Sequence, residues 1–163
     1  MSEEIIIGID PGFSGGIAVL DGGGVEVMKM PDTEQDLLDC IRQLQQDNVF
    51  VFLENVHTMP HDSTKAATTF QQHIGALRMA VRAVGMPFEL VQPTKWQREF
   101  GLLRQSKIET STVKKNRHKS AAQQLFANKV PKIIHAYADA LLIAEWGRRK
   151  RTGTLGKNNA GKN

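Results

Sequence analysis

Short apolar runs separated by turn residues open the chain. Residues 4–10, 15–20 and 25–30 are largely apolar, and Pro-Gly and Asp-Gly-Gly-Gly stand between them. Short apolar runs with such breaks are typical of antiparallel strands joined by tight turns. This opening segment therefore predicts a meander of three strands.

A change in spacing after Pro31 predicts a helix and then a central strand. Asp32 can cap a helix that ends near Asn48. The apolar residues of this helix recur at helical spacing and are Leu37, Leu38, Ile41 and Leu44. A continuous apolar run follows over 49–53 and ends at Glu54, as expected for a strand that is buried on both faces.

The rest of the chain predicts mainly helices. Its segments are a helix over 63–84, a strand over 87–91, and helices over 94–100, 119–127 and 133–148. The polar stretch 102–117 lacks a clear period and is predicted to be a mobile loop, and the basic tail 151–163 is predicted to be disordered. The fold class is therefore α/β, with one domain over 1–150. Its mixed five-stranded sheet, with three antiparallel strands and then two parallel ones, is flanked by α-helices.

Composition and charge narrow the class of protein. Hydrophobic residues make up 40% and charged residues 23% of the chain, and the apolar run 5–7 is too short for a membrane span or an export signal. The single cysteine, Cys40, excludes an internal disulfide, so we expect it to pack in the core of a cytoplasmic protein. The net charge of +4 and the basic clusters 114–119 and 148–151 favour a polyanionic partner, although such runs also keep small proteins soluble.

Two acidic residues end the predicted strands of the sheet centre. Asp10 follows the first strand, and Glu54 follows the fourth. Because neighbouring strand ends bring their side chains together, the two carboxylates would repel each other unless a cation joined them. The alternatives are that Asp10 belongs to an Asp-Pro-Gly turn and that Glu54 is an ordinary strand-end charge.

A third acid interrupts a nearly apolar helix. His135 and Asp139 stand four residues apart, which places them on one helical face. A carboxylate on such a helix is costly to bury without a partner, so a ligand role explains Asp139 well. Pairing with Arg148 or Lys132 is the alternative for Asp139, as a backbone hydrogen bond is for His135.

Carboxylates in this arrangement suit phosphodiester hydrolysis. Hard oxygen ligands favour Mg²⁺ or Mn²⁺, and paired ions roughly 3.5–4 Å apart activate water and stabilise the leaving oxygen. We expect Asp10 to bridge two ions and Glu54 and Asp139 to hold one each. His135 would complete the second site or assist proton transfer.

Three motifs resemble those of the RuvC-type Holliday junction resolvases. Residues 7–12 are similar to the first motif of that family, 52–56 to the second, and 135–144 to the last. The resemblance spans roughly 4–150. It implies a ribonuclease H-like fold and a homodimer that nicks four-way DNA junctions symmetrically, with two Mg²⁺ ions that Mn²⁺ can replace.

The same resemblance indicates residues that contact DNA. Segments 91–95 and 118–122 are similar to those that carry DNA-contacting lysines in the family, which implies Lys95 and Lys119. Phe70 either wedges into the junction, as an aromatic does in relatives, or packs in the core. By charge alone, the further candidates for phosphate contacts are Lys107, Lys114, Lys115 and Arg117.

The last motif departs from the bacterial pattern. Bacterial members commonly place the last two ligands three residues apart, whereas position 136 here is Ala and His135 precedes Asp139 by four. This spacing is similar to that of plant chloroplast resolvases and some phage relatives. The 102–117 insert also looks longer than the bacterial one.

The sequence is also compatible with other functions. An actin-like phosphotransferase would need a duplicated second domain and another phosphate loop, and neither is apparent in the sequence. A junction-binding protein without activity would not need all the acids. A related nuclease acting on other branched DNA or on an RNA–DNA hybrid is the main alternative, because acids define hydrolysis and not substrate shape. For a dimer, the long helix after Glu54 is the candidate interface.

Overall fold

The computed structural model describes residues 3–58 and 62–157. In chain order the elements are β1 (Ile5–Asp10), β2 (Gly16–Asp21), β3 (Gly24–Lys29), α1 (Glu34–Gln43), β4 (Val49–Glu54), α2 (Thr64–Ala83), β5 (Phe88–Val91), α3 (Pro93–Glu99), α4 (Ser111–Phe126) and α5 (His135–Arg151). Within the described ranges, no helix is long and apolar enough to cross a membrane.

The five strands form one mixed sheet in the order β3-β2-β1-β4-β5. β1, β2 and β3 pair antiparallel, whereas β4 pairs parallel with β1 and with β5. The predicted α/β class and the predicted strand directions are confirmed. Because β1 and β4 run in parallel as neighbours, their carboxyl ends lie at the same edge of the sheet.

Alternating residues of the central strands build two apolar layers. Ile7 and Ile9 of β1 pack with Leu53 of β4 on the face covered by α1 and α2. Ile6 and Phe52 belong to the opposite layer, which α3, α4 and α5 cover. Since strand side chains alternate between faces, Asp10 and Glu54 share the parity of Ile6 and Phe52. Both acids therefore lie on the face that α5 covers.

Helix α5 approaches the sheet at two glycines. A Cβ atom at Gly8 would overlap backbone atoms of Ala140 and Ala144, and one at Gly16 would overlap the carbonyl oxygen of Ala136. Only a strand residue without a side chain allows a helix backbone to come this close. This contact fixes the height of α5 above β1 and hence the position of Asp139.

The main difference from the sequence prediction lies before His118. Residues 111–117, predicted to belong to a mobile loop, form the first turns of α4, which Thr110 caps by accepting a hydrogen bond from the Val113 N–H. The prediction was wrong for these residues because this part of α4 faces solvent. A solvent-exposed helix has no apolar period for the sequence to display.

Helix ends also differ by a few residues from the prediction. Thr33, and not Asp32, caps α1, which ends at Gln43. Helix α5 continues to Arg151, and residues 152–157 fold back so that the Gly156 N–H donates to Glu99. The beginning of the predicted disordered tail thus has defined contacts, and its remainder, 158–163, lies outside the described residues.

Candidate active site

Asp10 and Glu54 meet where β1 and β4 end. Ile9 is paired with Leu53 in the parallel register, so the next residue of each strand is an acid at the same edge. Glu54 is buried and Asp10 is half-buried. The two carboxyl groups are close enough to affect each other's pKa. The prediction that neighbouring strand ends bring these acids together is confirmed.

Asp139 of α5 completes an acid cluster, by which we mean Asp10, Glu54 and Asp139. Its charge acts on both other acids. It accepts a hydrogen bond from His118 Nδ1 at 2.8 Å. Arg148, the alternative partner considered for it, is engaged by Glu145 at 2.8 Å instead.

Burial and repulsion make Asp10 and Glu54 hard to ionise. Burial, followed by the charges of Asp139 and Glu54, raises the pKa of Asp10 well above its ordinary value. Burial also raises the pKa of Glu54 to about 7, against the opposing effect of the Trp96 hydrogen bond. A divalent cation relieves such repulsion, and these carboxylate oxygens are the ligands that Mg²⁺ and Mn²⁺ prefer. The donor set therefore fits a hard divalent metal.

We expect the metal-free protein to lose stability as the pH rises from about 4.5 to about 7. The Glu54 carboxyl ionises near 4.5 when unfolded, whereas its pKa is about 7 in the folded protein. Over that window the folded state binds more protons, so the free energy of unfolding falls with rising pH. Thermal unfolding in EDTA should show this decrease, and millimolar Mg²⁺ at neutral pH should reverse it.

Glu54→Gln is the control for this pH effect. The amide does not titrate, so its Tm should depend less on pH between those limits than the Tm of the wild type. An unchanged pH dependence in Glu54→Gln would show that the decrease arises elsewhere in the protein.

The ring of His135 contacts helix α4. It is exposed at the first turn of α5, and its Nε2 lies 3.0 Å from Asn116 Oδ1 of α4. Within residues 3–58 and 62–157, no three His, Cys, Asp or Glu side chains are already arranged around one ion position. The acids thus form an electrostatic cluster and not a finished coordination shell, and the ligand role of His135 stays a prediction.

Two residues of this site were missed by the sequence reasoning. Trp96 Nε1 donates to Glu54 Oε1 at 2.8 Å, and His118 bonds to Asp139. His118 lies on a buried stripe with Ala122 and Phe126, at intervals of four residues. That spacing would have predicted a buried position for His118 if the helix had been predicted to begin before Lys119. Nothing in the sequence indicated the partner of Trp96.

Two predicted cations of α4 act on the acid cluster. The charges of Lys115 and Lys114 lower the pKa values of Asp10 and Glu54, respectively. Lys119 is half-buried one residue after His118, and Lys95 is exposed on α3 one residue before Trp96. The first turns of α4 therefore place positive charge beside the acids.

Other cations are already paired within the protein. Arg117 contacts Glu109 at 2.7 Å and donates to the Leu103 carbonyl, which indicates that it holds the segment before α4. The basic cluster 148–151 is also neutralised by acids, through the pairs Arg148–Glu145, Arg149–Glu99, Lys150–Glu89 and Arg151–Glu4. The positive charge at the end of α5 is therefore balanced by acids of the protein itself.

Phe70 lies near the loop that follows Asp10. It is half-buried on α2, close enough to Gly12 that a Cβ there would lie 3.2 Å from its ring. Together with Phe13, whose side chain is 58% exposed, it lines a cavity of about 560 Å³. The aromatic ring is thus at the edge of the site, and its contact with DNA stays a prediction.

Solved structures share the fold of this chain. No protein-family model matches the chain, and no curated protein matches it. Among solved structures, Thermus thermophilus RuvC in complex with a Holliday junction substrate is similar at 18% identity with a TM-score of 0.62, covering 94% of this chain and 98% of that one. A second Thermus thermophilus RuvC structure has 19% identity and a TM-score of 0.58, with 93% and 98% covered. The chain has the RuvC fold, as the resemblance of its motifs implied.

Proposed function

We propose that this protein is a Holliday junction resolvase, a crossover junction endodeoxyribonuclease that hydrolyses phosphodiester bonds of four-way DNA junctions by two symmetric nicks. The observation that carries the proposal is the convergence of Asp10, Glu54 and Asp139 beside the lysines of α4. These acids come from three elements that are distant in the chain. The similar RuvC fold is one that binds a Holliday junction substrate in the Thermus protein.

In this proposal the acid cluster holds two divalent cations, Mg²⁺ by preference and Mn²⁺ as a substitute. Asp10, Glu54 and Asp139 would hold these cations, and His135 would complete the ligand set or move a proton. When bound, such ions supply a water of lowered pKa and stabilise the leaving oxygen. The protein's own contribution is to keep the acids together against their repulsion.

The lysines beside the acid cluster bind and orient the DNA backbone. Lys114 and Lys115 are close enough to affect the pKa values of the acids, so a phosphate held there would lie near the reacting bond. Lys95 and Lys119 extend this positive surface to α3 and along α4. Their contacts release counterions, so binding should weaken steeply with added salt.

Symmetric nicking needs two active sites on one junction, so the proposal includes a homodimer. We place its contact on the exposed face of α2, where Met79 is 65% exposed. This face borders a groove with α1 that Leu38, Gly75 and Ala76 help to line. Light scattering of the purified protein should therefore give twice the mass of the chain.

A substrate panel tests the proposed activity. With Mg²⁺, the protein should nick a synthetic four-way junction at paired, symmetric positions and leave linear duplex of the same sequences intact. Forks, flaps and RNA–DNA hybrids in the same assay distinguish the alternative, a ribonuclease H-like nuclease with another substrate. Equal cutting of junction and linear duplex would contradict the resolvase assignment, and faster cutting of a hybrid would replace it.

A further inference from the structure

Two aromatic rings lie directly behind the acid cluster. Trp96 of α3 is fully buried, and His118 of α4 is 2% exposed. Their ring centroids are 5.2 Å apart, with an angle of 77° between the ring planes. This edge-to-face contact joins α3 to α4.

Each ring donates one hydrogen bond to one acid. Trp96 Nε1 donates to Glu54 Oε1, and His118 Nδ1 bonds to Asp139 Oδ1, both at 2.8 Å. A carboxylate only accepts, so the His118 hydrogen must be on Nδ1. Each bond uses one carboxylate oxygen and restrains the rotation of that carboxyl group. The other oxygen of each acid remains for a cation.

Packing alone does not explain a histidine at this position. His118 Nε2 is buried and has no hydrogen-bond partner among the described residues. An unpaired buried nitrogen costs free energy that an apolar side chain of similar size would not cost. The one polar contact that offsets this cost is the bond to Asp139.

We propose that Trp96 and His118 are positioning residues that hold Glu54 and Asp139 in the orientation that captures divalent cations. Without them, repulsion within the acid cluster would turn the carboxylates away from one another. The rings contact each other, so a displacement of either one is transmitted to both acids. This inference rests on the proposed function, because it assigns the acids to metal binding.

Two amides at position 118 separate positioning from packing. The amide nitrogen of Asn lies at the same number of bonds from Cα as Nδ1, so His118→Asn keeps the donor. His118→Gln carries its donor one bond further out and loses the contact. Trp96→Phe likewise removes the N–H and keeps an aromatic ring. Trp146→Phe is its matched control, because Trp146 is also buried and packs edge-to-face against Phe52.

Calorimetric titration with Mn²⁺ alone, without DNA, measures the effect on the acids. His118→Gln and Trp96→Phe should each bind Mn²⁺ about tenfold more weakly, as is typical when a partner of a metal ligand is lost. His118→Asn and Trp146→Phe should stay within about threefold of the wild type. On junction DNA at saturating Mn²⁺, His118→Gln and Trp96→Phe should each have a lower kcat. Their KM for DNA should change little, since neither substitution removes a DNA contact.

The outcomes separate the inference from the proposed function. If the wild type binds Mn²⁺ and cleaves, but His118→Asn and His118→Gln behave alike and Trp96→Phe matches Trp146→Phe, the positioning role is wrong and the function stands. If the wild type binds Mn²⁺ but cuts no junction, the function is wrong, and the titrations still decide the positioning role. If the wild type binds no Mn²⁺, both are overturned. If the variants of one ring do not fold, the variants of the other ring test the positioning role.

Discussion

Asp10→Asn is expected to abolish cleavage while junction binding remains. The charges of both other members of the cluster raise the pKa of Asp10, so its charge is central to any shared cation site. The amide preserves the shape of the side chain and removes the charge. We expect cleavage to fall about a thousandfold or more, which corresponds to roughly 4 kcal/mol of lost transition-state stabilisation. Single-turnover cleavage and gel-shift binding of the same junction measure the two effects.

A second consequence of Asp10→Asn distinguishes a functional acid from a structural one. Because burial and repulsion oppose ionisation of Asp10, its neutral replacement should raise the Tm of the metal-free protein at neutral pH. Mg²⁺ should then stabilise the variant less than the wild type. Asp21→Asn is the matched control, since Asp21 ends β2 at the opposite edge of the sheet and is exposed. Normal cleavage by Asp10→Asn would show that the metal assignment is wrong.

The acid cluster could be predicted because each member stands out in its local pattern. Asp10 and Glu54 each follow a short apolar run that is typical of a buried strand, and neighbouring parallel strands end at the same edge of the sheet. Asp139 interrupts an apolar helix. These are short-range signals, so one sequence is sufficient to display them. The same reasoning placed His135 on the helical face of Asp139; its ring contacts Asn116, and its ligand role stays a prediction.

The residues behind the acids could not be predicted in the same way. The Trp96–Glu54 bond spans 42 positions, and the His118–Asp139 bond spans 21. Both depend on how α3 and α4 pack against the sheet, which no local pattern encodes. The first turns of α4 are exposed and lack an apolar period. The sequence therefore did not predict that His118 lies on the buried face of a helix. Likewise, only the packed structure shows that the cluster 148–151 is paired with acids from other elements.

Gly8→Ala is expected to cause the largest loss of stability among single-residue changes in the sheet. The added methyl group would overlap backbone atoms of Ala140 and Ala144, which cannot rotate away as a side chain can. Overpacking against a backbone should cost about 3 kcal/mol. For a chain of this size, that lowers Tm by roughly 6–12 °C. Gly23→Ala is the control, because a Cβ at this position in the turn between β2 and β3 meets no atom within 4 Å, so Tm should change little.

The same change should reduce cleavage beyond what unfolding explains. A shift of α5 away from Gly8 moves Asp139 relative to Asp10, and a displacement of about 1 Å can cost a hundredfold in rate. Cleavage is therefore best measured well below the Tm of Gly8→Ala, with the folded fraction confirmed by circular dichroism. A folded Gly8→Ala protein with wild-type cleavage and Mn²⁺ affinity would mean that the height of α5 does not set the acid cluster. Because Gly8 contacts neither DNA nor cation in this proposal, a loss of Mn²⁺ affinity would connect the packing of α5 on β1 directly to the chemistry.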